Sequence, residues 1–391
     1  MITQACTCSL KQHNAPIDKF IIENKATEKI PEILFAYKKI LIVCDTNTYN
    51  ALGKRVEQLI AQSGKLFNII ILQGKVLPNE HFIGEVLINI ANPYAQSDIY
   101  SYSPLPDFIL AVGSGVINDI CRLVAYRLNL PYGIAASAVS MDGFASSGSA
   151  ILFNNTKSTI RCTTPKFIIA DTEVLSKAPY EMMLAGIGDM IGKFTGLLDW
   201  ELARDFDNEF FCEQIAENVL AAAKSCLQHG YSLKQGSIAA IEEIMKGFMV
   251  SGLGMAYLGN SRPASGSEHI IAHAWELEGI KNNAAPNLHG LEVCKASLLV
   301  AFMYERLYLS TDDERLKCLI GKYLIYFKDI KRYVKEIKMP LPKKDKSELV
   351  ASVRRALLLR DRYTILYYLN DRNLLEDYAD YAADSLLNFE K

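Results

Sequence analysis

Between residues 39 and 136 the hydrophobic pattern changes period several times. Short, nearly continuous apolar runs at 39–44 (KILIVC), 66–72 (LFNIIIL), 108–112 (FILAV) and 132–135 (YGIA) read as strands buried on both faces. The segments between them, 48–62, 80–91 and 116–128, carry apolar residues at helical spacing. In the last, Ile117, Ile120, Cys121, Val124 and Leu128 share one face. This alternation predicts βα units around a parallel sheet. A hairpin is expected from 150–153 and 158–162 across a polar turn at Asn154 and Asn155, followed by one more short apolar run at 167–170. Past Pro165 the texture becomes helical and rich in Leu, Ala, Glu and Lys, with no internal repeat. The pattern predicts an α/β domain over 1–165 and an all-α domain over 166–391, with the cleft between them as the natural ligand position.

Composition narrows the partners. The 391 residues carry 42 Lys+Arg against 44 Asp+Glu, a net charge of −2 that offers no attraction to nucleic acid or to an anionic membrane. The apolar runs fall well short of the roughly 20 residues that span a bilayer. The N-terminus is interrupted by Lys11, His13 and Asp18 and lacks a signal-peptide pattern, so a cytoplasmic location is expected. Nine cysteines, mostly scattered singly, make no disulfide framework. Cys6 and Cys8 lie together, but one pair lacks the second pair on which zinc sites usually draw.

Two segments carry candidate chemistry. DFILAVGSGVINDICRL puts Gly113, Ser114 and Gly115 between a strand and a helix, where bare glycine backbone can approach an anion and free N–H groups point at it. A tight strand-to-helix turn uses the same residues, and Asn118 stands where a third glycine would complete a dinucleotide fingerprint. Asp45, directly after the first of these strands, suits either a ribose hydroxyl or a helix N-cap. Three histidines fall between 269 and 289. In SGSEHIIAHAWE, His269 and His273 share a helix face, and His289 follows a polar loop, which suits a divalent metal or a solvated helix face. Such a metal also wants an oxygen donor. Asp189, in LAGIGDMIGKF, is the candidate because an unpaired carboxylate among apolar neighbours is costly, with an N-cap as the alternative. Lys193, one turn on, is a protonated amine and cannot ligate. Three protein ligands with open positions is the catalytic pattern.

The runs 112–120, 135–147 (AASAVSMDGFASS), 185–200 (AGIGDMIGKFTGLLDW), 259–273 (GNSRPASGSEHIIAH) and 288–290 (LHG), with LRDRYTIL at 359–366, together resemble the sn-glycerol-1-phosphate dehydrogenases, most closely their bacterial branch. These belong to the wider superfamily of glycerol dehydrogenases, dehydroquinate synthases and metal-dependent alcohol dehydrogenases. The resemblance implies a Rossmann-like N-terminal domain that binds NAD(H) or NADP(H), an all-α domain, and a Zn²⁺ or Ni²⁺ ion between them. It also implies a homo-oligomer. Carried across by motif, Asp189, His269 and His289 would hold the metal, and His273 and Asp142 would face the substrate. Gly113, Ser114, Gly115, Val116, Ile117 and Asn118 would hold the pyrophosphate, and Ser137, Ala138, Val139, Ser140 and Ser146 would line the cofactor. Val116 replaces a serine common in the superfamily, which removes one side-chain contact but leaves the backbone cradle. Lys193 stands where the iron-type alcohol dehydrogenases carry a histidine, which argues against that branch.

The reaction this implies is reversible hydride transfer at C2 of dihydroxyacetone phosphate, with the metal as Lewis acid and His273, or a water it holds, relaying the proton. A phosphorylated substrate needs cations, for which Lys193, Arg262, Arg360 and Arg362 are candidates. The rival readings are a dehydrogenase of unphosphorylated polyols, a dehydroquinate synthase-like lyase, which typically has Glu at the place of Asp189, and a metal-bearing regulatory protein without turnover.

Overall fold

The apolar runs assemble as parallel strands. The computed structural model describes residues 2–90, 105–154, 156–282, 284 and 286–391. Ten strands form among them: β1 Ile2–Ala5, β2 Gln12–Ala15, β3 Lys19–Glu23, β4 Lys39–Asp45, β5 Leu66–Leu72, β6 Phe108–Gly113, β7 Tyr132–Ala136, β8 Gly148–Phe153, β9 Thr156–Arg161 and β10 Phe167–Asp171. Six make one sheet in the order β3-β10-β7-β6-β4-β5, parallel throughout. Strands β6 and β7 are buried along their whole length, as continuous apolar runs should be, whereas β5 at the edge is partly exposed. Register brings Val43 opposite Ala111 and Gly113 opposite Ala136. Asp45, the glycine turn after β6 and Ser137 therefore all emerge at the carboxyl edge of the sheet, where open α/β sheets bind ligands. Val56 and Ile60 of helix Lys54–Gln62 pack on Ile40, Ile42, Leu110 and Val112. Helix Gly115–Leu128 buries Ile117, Ile120, Cys121 and Val124 and packs on β6.

Several expectations shift. The chain divides into one unit of residues 1–139, 143–179 and 232–260 and another of 140–142, 180–231 and 261–391, not at residue 165. Strand β10 lies inside the sheet between β3 and β7, and helix Ile238–Leu258 returns to pack on β2, β3 and the 143–145 turn. Helical texture identifies the element but not the core it joins. The helix expected over 48–62 is broken: a short turn Thr46–Thr48 capped by Asp45, then a wide turn Tyr49–Gly53, precede Lys54–Gln62. The helix expected over 80–91 spans Glu80–Asn89, and Ala91 lies outside the described residues, as does Asn155 of the hairpin between β8 and β9.

The second unit is helical. Helix Tyr180–Asp207 is buried on every side over most of its length, which marks it as a core helix. It crosses helix His289–Ser310 backbone to backbone. A methyl group on Gly290 would sit 1.8 Å from the Ala185 carbonyl oxygen, and one on Gly188 would sit 2.2 Å from that of Gly290. Only glycine fits at this crossing, and it sets Asp189 beside His289. Among the described residues no helix is long and apolar enough to cross a membrane.

Candidate metal centre and nucleotide turn

In the helical unit, Asp189, His269 and His289 each offer a ligand atom within 4.8 Å of the others. They come from three helices, Tyr180–Asp207, Ser267–Lys281 and His289–Ser310. Glycine again sets the spacing: a Cβ on Gly192 would lie 3.1 Å from His269 Cε1, and one on Gly266 would lie 2.5 Å from Asp199 Oδ2. Asp199 fixes the start of the His269 helix, since its Oδ2 accepts from the Ser267 N–H and hydroxyl, both at 2.6 Å, while Oδ1 accepts from Tyr304 (2.6 Å) and the Ile365 N–H (2.8 Å).

Both candidate imidazoles are held by a carboxylate. His269 Nδ1 lies 2.6 Å from Glu268 Oε1, and His289 Nδ1 lies 2.6 Å from Glu276 Oε1. Each ring therefore keeps Nε2 for a ligand, the carboxylate–histidine arrangement that supports metal-binding histidines. His269 Nε2 is 3.2 Å from Asp189 Oδ1. Glu268 is fully buried and satisfied by the Gly266 N–H (2.7 Å) and the Thr195 hydroxyl (2.9 Å). The His273 ring stacks on His289 at 5.6 Å and lies 6.5 Å from His269, beside the group and not in it. An aspartate and two Nε2 imidazoles, each supported from behind, is a donor set that fits a divalent ion of borderline softness.

Lys193 is fully buried between two acids, its Nζ 2.9 Å from Asp189 Oδ1 and 3.0 Å from Asp142 Oδ2. Burial opposes the charge on Asp189, but Lys193 and His269 outweigh it and hold the carboxyl well below the usual carboxylate range. Burial likewise disfavours the Lys193 charge, yet Asp142 and Asp189 push its pKa up. Burial and Lys193 push His269 down, and hydrogen bonds to Asp189 and Glu268 more than offset them. The Asp142 N–H also donates to Asp189 Oδ2 (3.1 Å). Lys193 is thus neutralised in place and positions Asp142 and Asp189.

The other candidate cations cluster nearby in the same unit. Arg262 is buried and braces the fold, donating from Nη2 to the Tyr363 carbonyl (2.6 Å) and pairing with Glu209 (2.8 Å). Arg360 and Arg362 both reach the Ser261 hydroxyl, at 3.3 and 3.2 Å, and Arg362 also donates to the Ser265 carbonyl (2.7 Å). Burial, with Arg360 and Arg262 alongside, lowers the Arg362 pKa to about 9. A cluster of this kind favours an anion.

The α/β unit carries the glycine turn. Ser114 precedes the first turn of helix Gly115–Leu128, and the Ser137 N–H donates to the Gly113 carbonyl (2.9 Å), so Gly113–Asn118 and Ser137–Val139 lie side by side. Gly113 is tight: a Cβ there would stand 2.8 Å from that of Ile117. Asn118 is buried and faces the Gly143 carbonyl at 3.5 Å. Ser146 bonds locally, its hydroxyl accepting from the Gly148 N–H (2.9 Å). Asp45 is an N-cap, accepting from the Thr48 N–H at 2.8 Å through Oδ1. Ser140 and Asp142 fall to the helical unit.

The sequence reading missed four residues that shape these sites. Glu268 and Glu276, each within three residues of a candidate histidine, were visible as neighbours. Asp199 lay within the 185–200 motif. Arg122, buried on the glycine-turn helix, donates to the carbonyls of Gly143 (2.7 Å), Phe144 (3.1 Å) and Gly148 (2.6 Å), tying the Ser146 segment to that helix.

Residues 21–179 match the family model described as iron-containing alcohol dehydrogenase. The chain is 31% identical over 386 residues to the glycerol-1-phosphate dehydrogenase [NAD(P)+] of Bacillus licheniformis, covering 95% of this chain and 93% of that one. It is 37% identical over 299 residues to the enzyme of the same name from Bacillus velezensis, covering 74% and 72%. Among solved structures, NADH-dependent butanol dehydrogenase A from Thermotoga maritima superposes with a TM-score of 0.70 at 15% identity, over 95% of this chain and 98% of that one, and so shares the fold.

Proposed function

The chain belongs to the glycerol-1-phosphate dehydrogenase family, and we propose that it interconverts dihydroxyacetone phosphate and sn-glycerol 1-phosphate by hydride transfer at C2, using NAD(H) or NADP(H) and one Zn²⁺ or Ni²⁺ ion. The observation that carries this reading is the convergence of Asp189, His269 and His289, with Glu268 and Glu276 behind the two imidazoles. When bound, the ion supplies Lewis acidity at the carbonyl oxygen and the nicotinamide supplies or accepts the hydride.

The chain's own residues do the rest. Glu268 and Glu276 fix the tautomer and orientation of His269 and His289. Lys193 keeps Asp189 ionised and holds Asp142 toward the same group. In reduction, an imidazole nitrogen of His273 delivers the proton that the new C2 hydroxyl needs; in oxidation it takes that proton back. Arg362, with Arg360, receives the substrate phosphate, a role to which Lys193 is unsuited because two carboxylates already hold it. The amides at the start of helix Gly115–Leu128 receive the cofactor pyrophosphate, and Ser137, Ala138, Val139, Ser140 and Ser146 lie along the cofactor.

The test is oxidation of NADH and NADPH by the metal-loaded protein with dihydroxyacetone phosphate, and separately with dihydroxyacetone. The proposal expects the phosphate ester to be strongly preferred and Arg362→Ala to erode that preference about tenfold to a hundredfold, the loss of one charge-assisted hydrogen bond. Preference for the unphosphorylated ketone would instead make the protein a polyol dehydrogenase.

A further inference from the structure

The N-terminal hairpin β1–β2 gathers a second donor cluster, within the α/β unit and unrelated to the dehydrogenase chemistry. Its register sets His13 opposite Gln4, and the connecting loop folds back on itself through the Cys6 N–H to the Lys11 carbonyl and the Lys11 N–H to the Cys8 carbonyl, both 2.9 Å. Lys11 takes the left-handed conformation that closes this loop, at φ 57°. As a result Cys8 Sγ lies 3.5 Å from His13 Nε2, and Cys6 Sγ accepts the Cys8 N–H at 3.4 Å. The ligand atoms of Cys6, Cys8 and His13 all fall within 4.8 Å of one another. None of the cysteines is in a disulfide.

The imidazole is built in. His13 is buried, and its ring stacks on Tyr257 of helix Ile238–Leu258 at 5.5 Å between centroids and 29° between planes, which fixes its orientation. Burial also pushes its pKa below that of a free imidazole. Cys6 and Cys8 are partly exposed, so an ion has a path in.

We propose that Cys6, Cys8 and His13 form a second metal site that holds Zn²⁺ through two thiolates and one imidazole. Two sulfurs and a nitrogen with no oxygen donor exclude Mg²⁺ and Ca²⁺ as residents and favour a thiophilic ion. Binding releases the two thiol protons. Sequence alone argues against the site because the cysteine pair lacks partners; the hairpin supplies the third donor from five residues downstream.

Cobalt substitution in the reduced, metal-stripped full-length protein tests this. Asp189, His269 and His289 contain no sulfur, so a thiolate-to-cobalt charge-transfer band reports the hairpin alone. The proposal expects that band to appear on Co²⁺ addition and to bleach when Zn²⁺ displaces Co²⁺. In Cys6→Ser/Cys8→Ser the band should be missing and one equivalent of metal lost, with turnover on dihydroxyacetone phosphate within about twofold of wild type, as for substitutions outside a site. Independently of how that variant folds, Zn²⁺ should protect Cys6 and Cys8 of the wild-type protein from alkylation, mapped by mass spectrometry. Absence of the band in reduced protein, its survival in the double variant, or alkylation of Cys6 and Cys8 at the same rate with and without Zn²⁺ would each overturn the proposal.

Discussion

At the candidate nucleotide turn the groups open to a ligand are backbone amides and small residues that follow one another in sequence, Gly113, Ser114 and Gly115. At the candidate metal centre they are side chains numbered 189, 269 and 289, brought together by three helices. The two regions fail in different ways. The turn depends on space, because a Cβ at Gly113 meets Ile117 at 2.8 Å. The candidate metal centre depends on charge and orientation, because each donor is held by a second ionisable group: Asp189 by Lys193, His269 by Glu268, His289 by Glu276.

Substitutions can break this contrast in order of expected size. The largest effect is expected from Asp189→Ala, His269→Ala or His289→Ala. Each should lower kcat by about a thousandfold or more, the loss of several kcal/mol of Lewis-acid stabilisation, while the Kd for NADH measured by fluorescence stays near wild type. Glu268→Gln and Glu276→Gln keep shape but remove charge, and should lower metal affinity about 10- to 100-fold, read by competition with a chelator. A turnover loss with unchanged metal affinity in both would assign these acids to folding alone.

Gly113→Ala should do the reverse of a ligand variant. It should weaken NADH binding through a displaced Ile117, at a cost of about 1–3 kcal/mol for the overpacked contact, and leave metal content intact. The smallest effect is expected at Asp45. Asp45→Ser keeps a capping oxygen for the Thr48 N–H but removes the charge that would repel a 2′-phosphate. The ratio of kcat/KM for NADPH over NADH should rise by a few-fold, on the order of 1 kcal/mol for one half-buried charge; an unchanged ratio would leave Asp45 a cap only.

The same contrast explains what could be read from the sequence. Strands β4 to β7 and the glycine turn are contiguous, so apolar runs and one short motif disclose them. Strand β3, KFIIE, is short, charged at both ends and at the sheet edge, and helix Ile238–Leu258 has the texture of the helical unit while packing in the other. The three candidate ligands were named from residue type and motif, but their supports were not. Glu268 and Glu276 look like ordinary helix-surface acids until the rings of His269 and His289 turn toward them. Lys193 read as a free cation for phosphate, and only the fold shows Asp142 arriving on its other side.

We propose that Asp189, His269 and His289, and not His273, hold the metal. Metal content by mass spectrometry, in a Cys6→Ser/Cys8→Ser background that removes the hairpin donors, distinguishes the two sets. His269→Ala/His289→Ala should purify and reconstitute without a stoichiometric ion, and His273→Ala should retain one equivalent while losing turnover. Full occupancy in the double histidine variant, or loss of the ion in His273→Ala, would rule out this ligand set.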